Sequence, residues 1–190
     1  FVAPDATNSA TQPELVDTTI TTEIAVAIPS QQQPPTPSAT HRDGATSASG
    51  AGRDVIYTHA DGTRTRRTGG TRAWRNNNPG NIRYSEFSRR MGAVGSAGGF
   101  AVFPNEETGM RAITTLLRSN SYNRLTVAGA ISRYAPPSEN NTAGYHRRIE
   151  ELTGLSINRK MSDLSDAELA RVASAIRTVE GWRVGRTTQE

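Results

Sequence analysis

The sequence predicts a mainly α-helical domain with a small β element, carried behind an extended N-terminal arm. Three observations predict it. Four stretches after residue 104 repeat apolar residues at helical spacing. Shortly before them, Phe100-Ala101-Val102-Phe103 reads as a short strand. Residues 1–50 are rich in Thr, Ser, Ala, Gln and Pro, in a chain only 34% hydrophobic and 6% aromatic. Such a segment is not expected to build a core of its own.

Within the arm, Gln31-Gln32-Gln33-Pro34-Pro35 and Pro37 favour a polyproline-like path, and Thr18 to Ile28 has strand-forming residues suited to an edge. Residues 51–72 form a basic bridge. A hairpin is expected there, from Asp54 to Thr58, a turn at Asp61-Gly62, and Thr63 to Arg67. Residues 73–190 form the domain proper. Asn78-Pro79-Gly80-Asn81 fits a type II turn, with glycine where φ must be positive.

A helix follows Asn105, with Glu106 and Glu107 in its first turn and a stripe of Met110, Ile113, Leu116 and Leu117. A second, Thr126 to Tyr134, presents Val127, Ile131 and Tyr134 and stops before Pro136-Pro137. A third, Asn141 to Leu152, carries Tyr145, Ile149 and Leu152 and ends at Gly154. The last opens with the capping box Ser165-Asp166-Ala167-Glu168, and Leu164 staples onto Leu169. Its stripe is Leu169, Val172, Ile176 and Val179, and Gly181 ends it.

Charge divides the chain. Residues 1–50 hold five acids and one base; the remainder holds 21 bases and 13 acids, a net of +8. That half is drawn to polyanions such as nucleic acid, anionic lipid or the carboxylate-bearing bacterial wall. The arginines are spread over several elements rather than along one helix face, which argues against a nucleic-acid partner. The longest apolar run, Ile24 to Ile28, is too short to span a membrane. A chain beginning at Phe1 is expected to be processed or truncated. There is no cysteine, and His41, His59 and His146 lack metal-ligand spacing, so neither a metal nor a cofactor is expected. No Gly-x-Ser-x-Gly elbow is present.

Glu180 is the first candidate for chemistry. It falls beside the apolar stripe of the last helix, where burial and the negative end of the helix dipole both favour a protonated carboxyl. Such a group is what glycosidic-bond cleavage asks of a general acid. Trp182 offers a face for a sugar ring. The competing reading is a solvated helix-end acid paired to Arg177 or Arg183. Glu139, in the loop Pro136 to Thr142, is the second acid, with a simple helix N-terminal role as its alternative. Asn77, Asn78, Gly80 and Asn81 concentrate amides on a turn, which suits sugar hydroxyls and acetamido groups; turn chemistry is the alternative. Tyr84, Tyr134 and Tyr145 are candidates to line a groove.

The segments Arg75 to Arg83, Gly99 to Pro104, Tyr134 to Thr142 and Glu180-Gly181-Trp182 resemble, in that order, a group of phage virion proteins exemplified by the muralytic enzyme of the cystoviruses. The resemblance covers about residues 74–182. It implies a peptidoglycan hydrolase carried in the virion beside other virion proteins, acting on the host wall in the periplasm during entry and lysis. The same motifs are similar to those of lytic transglycosylases, but in shifted order. That implies a circularly permuted lysozyme-like fold in which Glu180 takes the catalytic glutamate's place. Cystoviral enzymes are described as endopeptidases on peptide cross-links; the residues here favour glycan cleavage, since no thiol, zinc cluster or serine elbow is present. A lytic transglycosylase needs one acid/base carboxylate, and a hydrolase would need a second, for which Glu139 is the candidate. A virion protein that binds peptidoglycan without cutting it is the remaining expectation.

Overall fold

The computed structural model describes residues 44–138 and 140–190. The arm's expected Thr18 to Ile28 strand and polyproline path, and Glu139, lie outside the described residues.

The described residues open with three strands, β1 (Ala45–Ala51), β2 (Asp54–His59) and β3 (Arg64–Thr68). Two short helices follow, α1 (Arg72–Arg75) and α2 (Glu86–Arg90), then β4 (Gly95–Ala97) and β5 (Phe100–Val102). The helical part comprises α3 (Glu106–Arg118), α4 (Asn120–Asn123), α5 (Val127–Tyr134), α6 (Thr142–Thr153), a 3-10 turn (Met161–Asp163) and α7 (Asp166–Val179). A last strand, β6 (Arg186–Gln189), returns to the sheet.

All six strands join one mixed sheet in the order β5-β4-β1-β2-β3-β6. Pairing is antiparallel except between β1 and β4, where Ala48 faces Gly95 and Ser49 faces Ser96. With 43% helix and 21% strand, this is an α/β protein. The expectation of a mainly α, lysozyme-like helical domain with a small β element is therefore overturned.

The physical reason lies in the strands. β1 reads Ala-Thr-Ser-Ala-Ser-Gly-Ala, with no large apolar residue to announce it. All but its last residue falls inside the segment read from composition as the arm. β6 is exposed at every position and pairs with β3 from the other end of the sequence. Both are held by backbone ladders more than by buried side chains, so hydrophobic pattern does not reveal them. The β2–β3 hairpin does follow its pattern: Val55 and Tyr57 alternate into a small core with Ala45 and Val102.

The helices form where their periodicity places them. Asn105, Thr126, Asn141 and Ser165 each cap one, their side-chain oxygens accepting from backbone N–H groups three residues on. The Ser165/Glu168 capping box is complete. Phe103, Ile113, Leu117, Ile131, Ile149, Met161, Val172 and Ile176 are fully buried at the centre of the main core. Among the described residues, no helix is long and apolar enough to cross a membrane.

Candidate functional site

α7 ends in a Schellman motif. The Gly181 N–H donates to the Thr178 carbonyl and that of Trp182 to the Arg177 carbonyl, with Gly181 left-handed at φ +79°. This geometry makes Glu180 the C-cap residue and aims it into a cleft of about 540 Å³. Its Oε1 accepts from the Tyr145 hydroxyl at 3.0 Å and its Oε2 from the Asn81 amide at 2.9 Å. Arg177 instead approaches Glu106 at 2.8 Å, as an ion pair without hydrogen-bond alignment. Glu180 makes no ion pair among the described residues.

Asn81 reaches Glu180 because of the turn it ends. The Asn81 N–H donates to the Asn78 carbonyl at 2.9 Å, closing the expected turn. Its type differs from expectation, because the left-handed residues are Asn77 (φ 48°) and Asn81 (φ 46°), and Gly80 is not among them. Asparagine is among the few residues that accept this conformation readily. Glycine at position 80 answers crowding instead: a methyl there would overlap the Tyr134 hydroxyl and lie 2.9 Å from Ile113 Cγ1. The Tyr134 hydroxyl donates to the Gly80 carbonyl.

Most of the neighbouring amides are turned inward. Asn78 is fully buried; its amide donates to the carbonyls of Ile82 and Ala101, and its oxygen accepts from the Ile82 N–H. Asn77 donates to the Phe103 carbonyl at 3.2 Å and accepts from Arg67 at 2.6 Å. Both hold backbone groups that strands would otherwise pair, and neither lines the cleft. Arg67 is itself sandwiched between the Tyr57 and Trp74 rings and donates to the Trp74 carbonyl.

Of the candidates, Glu180, Gly80, Asn81 and Tyr134 line the cleft, and Tyr145 reaches it through its hydroxyl. Tyr84 is exposed and Trp182 lies against the Arg177 guanidinium; neither is a lining residue. Pro136 and Asn140, which flank Glu139 in sequence, are. Ser132 Oγ lies 3.1 Å from His146 Nε2 between α5 and α6, and neither residue lines the cleft.

Burial first, and then the Glu180 charge, push the Tyr134 and Tyr145 phenols upward from the ordinary 10. Both therefore remain hydrogen-bond donors throughout the neutral range. Three arginines that sequence reasoning did not single out also line the cleft: Arg72, Arg83 and Arg133. Arg72 and Arg83 sit over the Phe100 ring, while Arg133 sits over Tyr122. Their only forewarning was the excess of arginine after residue 50. Glu180 is the one acid among the described lining residues, beside the three arginines. No cluster of metal-ligating side chains occurs among the described residues. No known family model matches the chain, and no curated protein matches its sequence.

Proposed function

We propose that the chain is a peptidoglycan-degrading enzyme that cuts the glycan strand by acid/base catalysis at Glu180, in the manner of a lytic transglycosylase. The observation that carries this reading is one carboxylate, gripped by Tyr145 and Asn81, in a groove whose described lining also holds three arginines and the rings of Phe100, Tyr122 and Tyr134. Glu180 delivers a proton to the glycosidic oxygen as the bond to the anomeric carbon breaks. The 6-hydroxyl of the same muramic sugar then attacks that carbon, and its proton returns to Glu180. The product ends in a 1,6-anhydro ring, and no water is consumed. Tyr145 and Asn81 hold the carboxyl in place through both half-steps, as pre-organisation requires.

The net of +8 beyond residue 50 supports an anionic wall polymer as the target, approached by electrostatic attraction that salt weakens. The motif resemblance supports a place in a phage particle, with the host wall in the periplasm as the site of action. A second reading, a module that holds the strand without cutting it, is favoured by the same pair of hydrogen bonds. Both Glu180 oxygens already accept, which is the arrangement of a fixed recognition charge.

Mass spectrometry of fragments released from purified peptidoglycan tests these readings, using the wild type and Glu180→Gln. Anhydro-muramic ends from the wild type, lost in Glu180→Gln while strand binding persists, are the expected result. Reducing ends lost in Glu139→Gln would instead indicate a two-carboxylate hydrolase. Intact strands with severed peptide bridges would indicate an endopeptidase. Binding without any release would leave the module.

A further inference from the structure

The acid occupies one side of the cleft, and the proton transfers make no use of the cationic wall. That wall is built from residues well separated in sequence. Arg72 belongs to α1, Arg83 follows the Asn81 turn, and Phe100 opens β5. The Arg72 guanidinium carbon lies 3.7 Å from the Phe100 ring centroid and that of Arg83 lies 5.3 Å from it. An aromatic ring beneath a guanidinium covers one flat face and leaves the edge N–H groups directed outward, the geometry that receives a carboxylate as a fork. Arg72 makes no ion pair among the described residues; its hydrogen bond is a long one, from Nε to Asn81 Oδ1 at 3.4 Å.

Asn81 ties this wall to the acid. Its oxygen accepts from Arg72 while its nitrogen donates to Glu180 Oε2. A group bound on Arg72 therefore lies one amide side chain away from the reacting carboxyl. In a peptidoglycan strand, the sugar whose anomeric carbon is attacked also carries the lactyl-linked stem with its carboxylates. Neutral amino-sugar polymers offer the same acetamido groups and the same glycosidic bond but no charge.

We infer that Arg72, stacked on Phe100, forms a carboxylate subsite, through which the cleft selects glycan strands bearing acidic substituents over neutral strands. This inference rests on the proposal that the cleft takes a glycan strand, and it adds which strand and which residues choose it. Arg72 reads the carboxylate as a planar pair of acceptors, so a lysine there would keep the charge and lose the fork.

The test is equilibrium binding to the full chain carrying Glu180→Gln, so that strands are held without turnover. The probes are soluble uncross-linked peptidoglycan strands, the same strands with their carboxylates converted to amides, and a chitin oligosaccharide. The native strands are expected to bind about tenfold tighter than either neutral probe, a difference that raised salt shrinks. Adding Arg72→Gln should erase the preference, and Arg72→Lys should retain only part of it. Thermal melting of each variant separates a lost subsite from a lost fold. Equal affinity for native and amidated strands, or a preference that survives Arg72→Gln, overturns the inference.

Fragment release by the wild type from both strand types keeps the two ideas apart. Equal cleavage of native and amidated strands sinks the subsite and leaves the cutting reaction. An arginine-dependent preference with no cleavage of either sinks the cutting reaction and leaves the subsite.

Discussion

Asn81 and Glu180, 99 residues apart in sequence, meet in a 2.9 Å hydrogen bond that joins the asparagine turn to the end of α7. The amide is held there by a left-handed backbone and the carboxylate by a Schellman cap. Neither partner can shift without its own element shifting. Asn81→Asp should expose this dependence. It tolerates the same backbone but sets a second carboxylate against Glu180. Fragment release is expected to fall by about 10²-fold, the usual consequence of a displaced catalytic group, with little change in melting temperature. Activity close to wild type would mean that the amide does not position the acid.

Tyr145→Phe removes the other grip. The phenol is buried and donates to a Glu180 oxygen, so its loss should destabilise the protein by about 1 kcal/mol and slow fragment release as well. Melting curves and release assays on the same preparation check both parts. A stable, fully active variant would remove Tyr145 from the site.

Gly109 shows how the asparagine turn is seated. It is buried on the face of α3 that the turn crosses, and a methyl there would overlap the Asn77 carbonyl and lie 2.6 Å from Pro79 Cδ. Alanine is the better helix former by about 1 kcal/mol, but overpacking against backbone costs about 1–3 kcal/mol. The overlap involves main-chain atoms that cannot swing aside, so the second effect should win. Gly109→Ala is expected to melt several degrees below wild type. A higher melting temperature would show that the turn yields.

Acid sensitivity should be traceable to one carboxylate on the far side of α7. Arg159 and the Ser165 N–H, in that order, draw the Glu168 carboxyl down from 4.5 to about 2. A depressed carboxyl contributes stability above its unfolded value and loses it as pH falls through the folded one. The melting temperature of the wild type should therefore decline between about pH 4.5 and pH 2, and Glu168→Gln should flatten that segment. The pair remains partly open to solvent, which screens it and keeps the effect modest. Identical profiles for the two proteins would assign the acid response elsewhere.

The helices were legible in the sequence because each carries two independent signals. α7 shows both an apolar stripe and a capping box, and α6 has Asn141 before it and Gly154 after it. The sheet was not, for reasons specific to its strands. The small residues of β1 suit close pairing with β4 but look like linker, and β6 has no buried position to betray it. In the site, Glu180 and Asn81 could be read from local pattern. Asn77 and Asn78 carry the same pattern for a different reason, because buried amides that satisfy backbone groups and amides that face a ligand share one composition. Arg72, Arg83 and Phe100 lay beyond reach, since only the tertiary fold stacks them.

The buried stack of Tyr57, Arg67 and Trp74 has a consequence for portability. Arg67 donates at once to the Trp74 carbonyl and to Asn77, and the Tyr57 hydroxyl donates to the Arg75 carbonyl. The strands thus supply a permanent cation and a phenol on which the asparagine turn rests. A fragment starting at residue 73 would keep Glu180, Asn81 and Tyr145 in its sequence and yet leave Trp74 and Asn77 without these partners. The cleft cannot be excised and grafted as a helical cassette; it travels with its sheet.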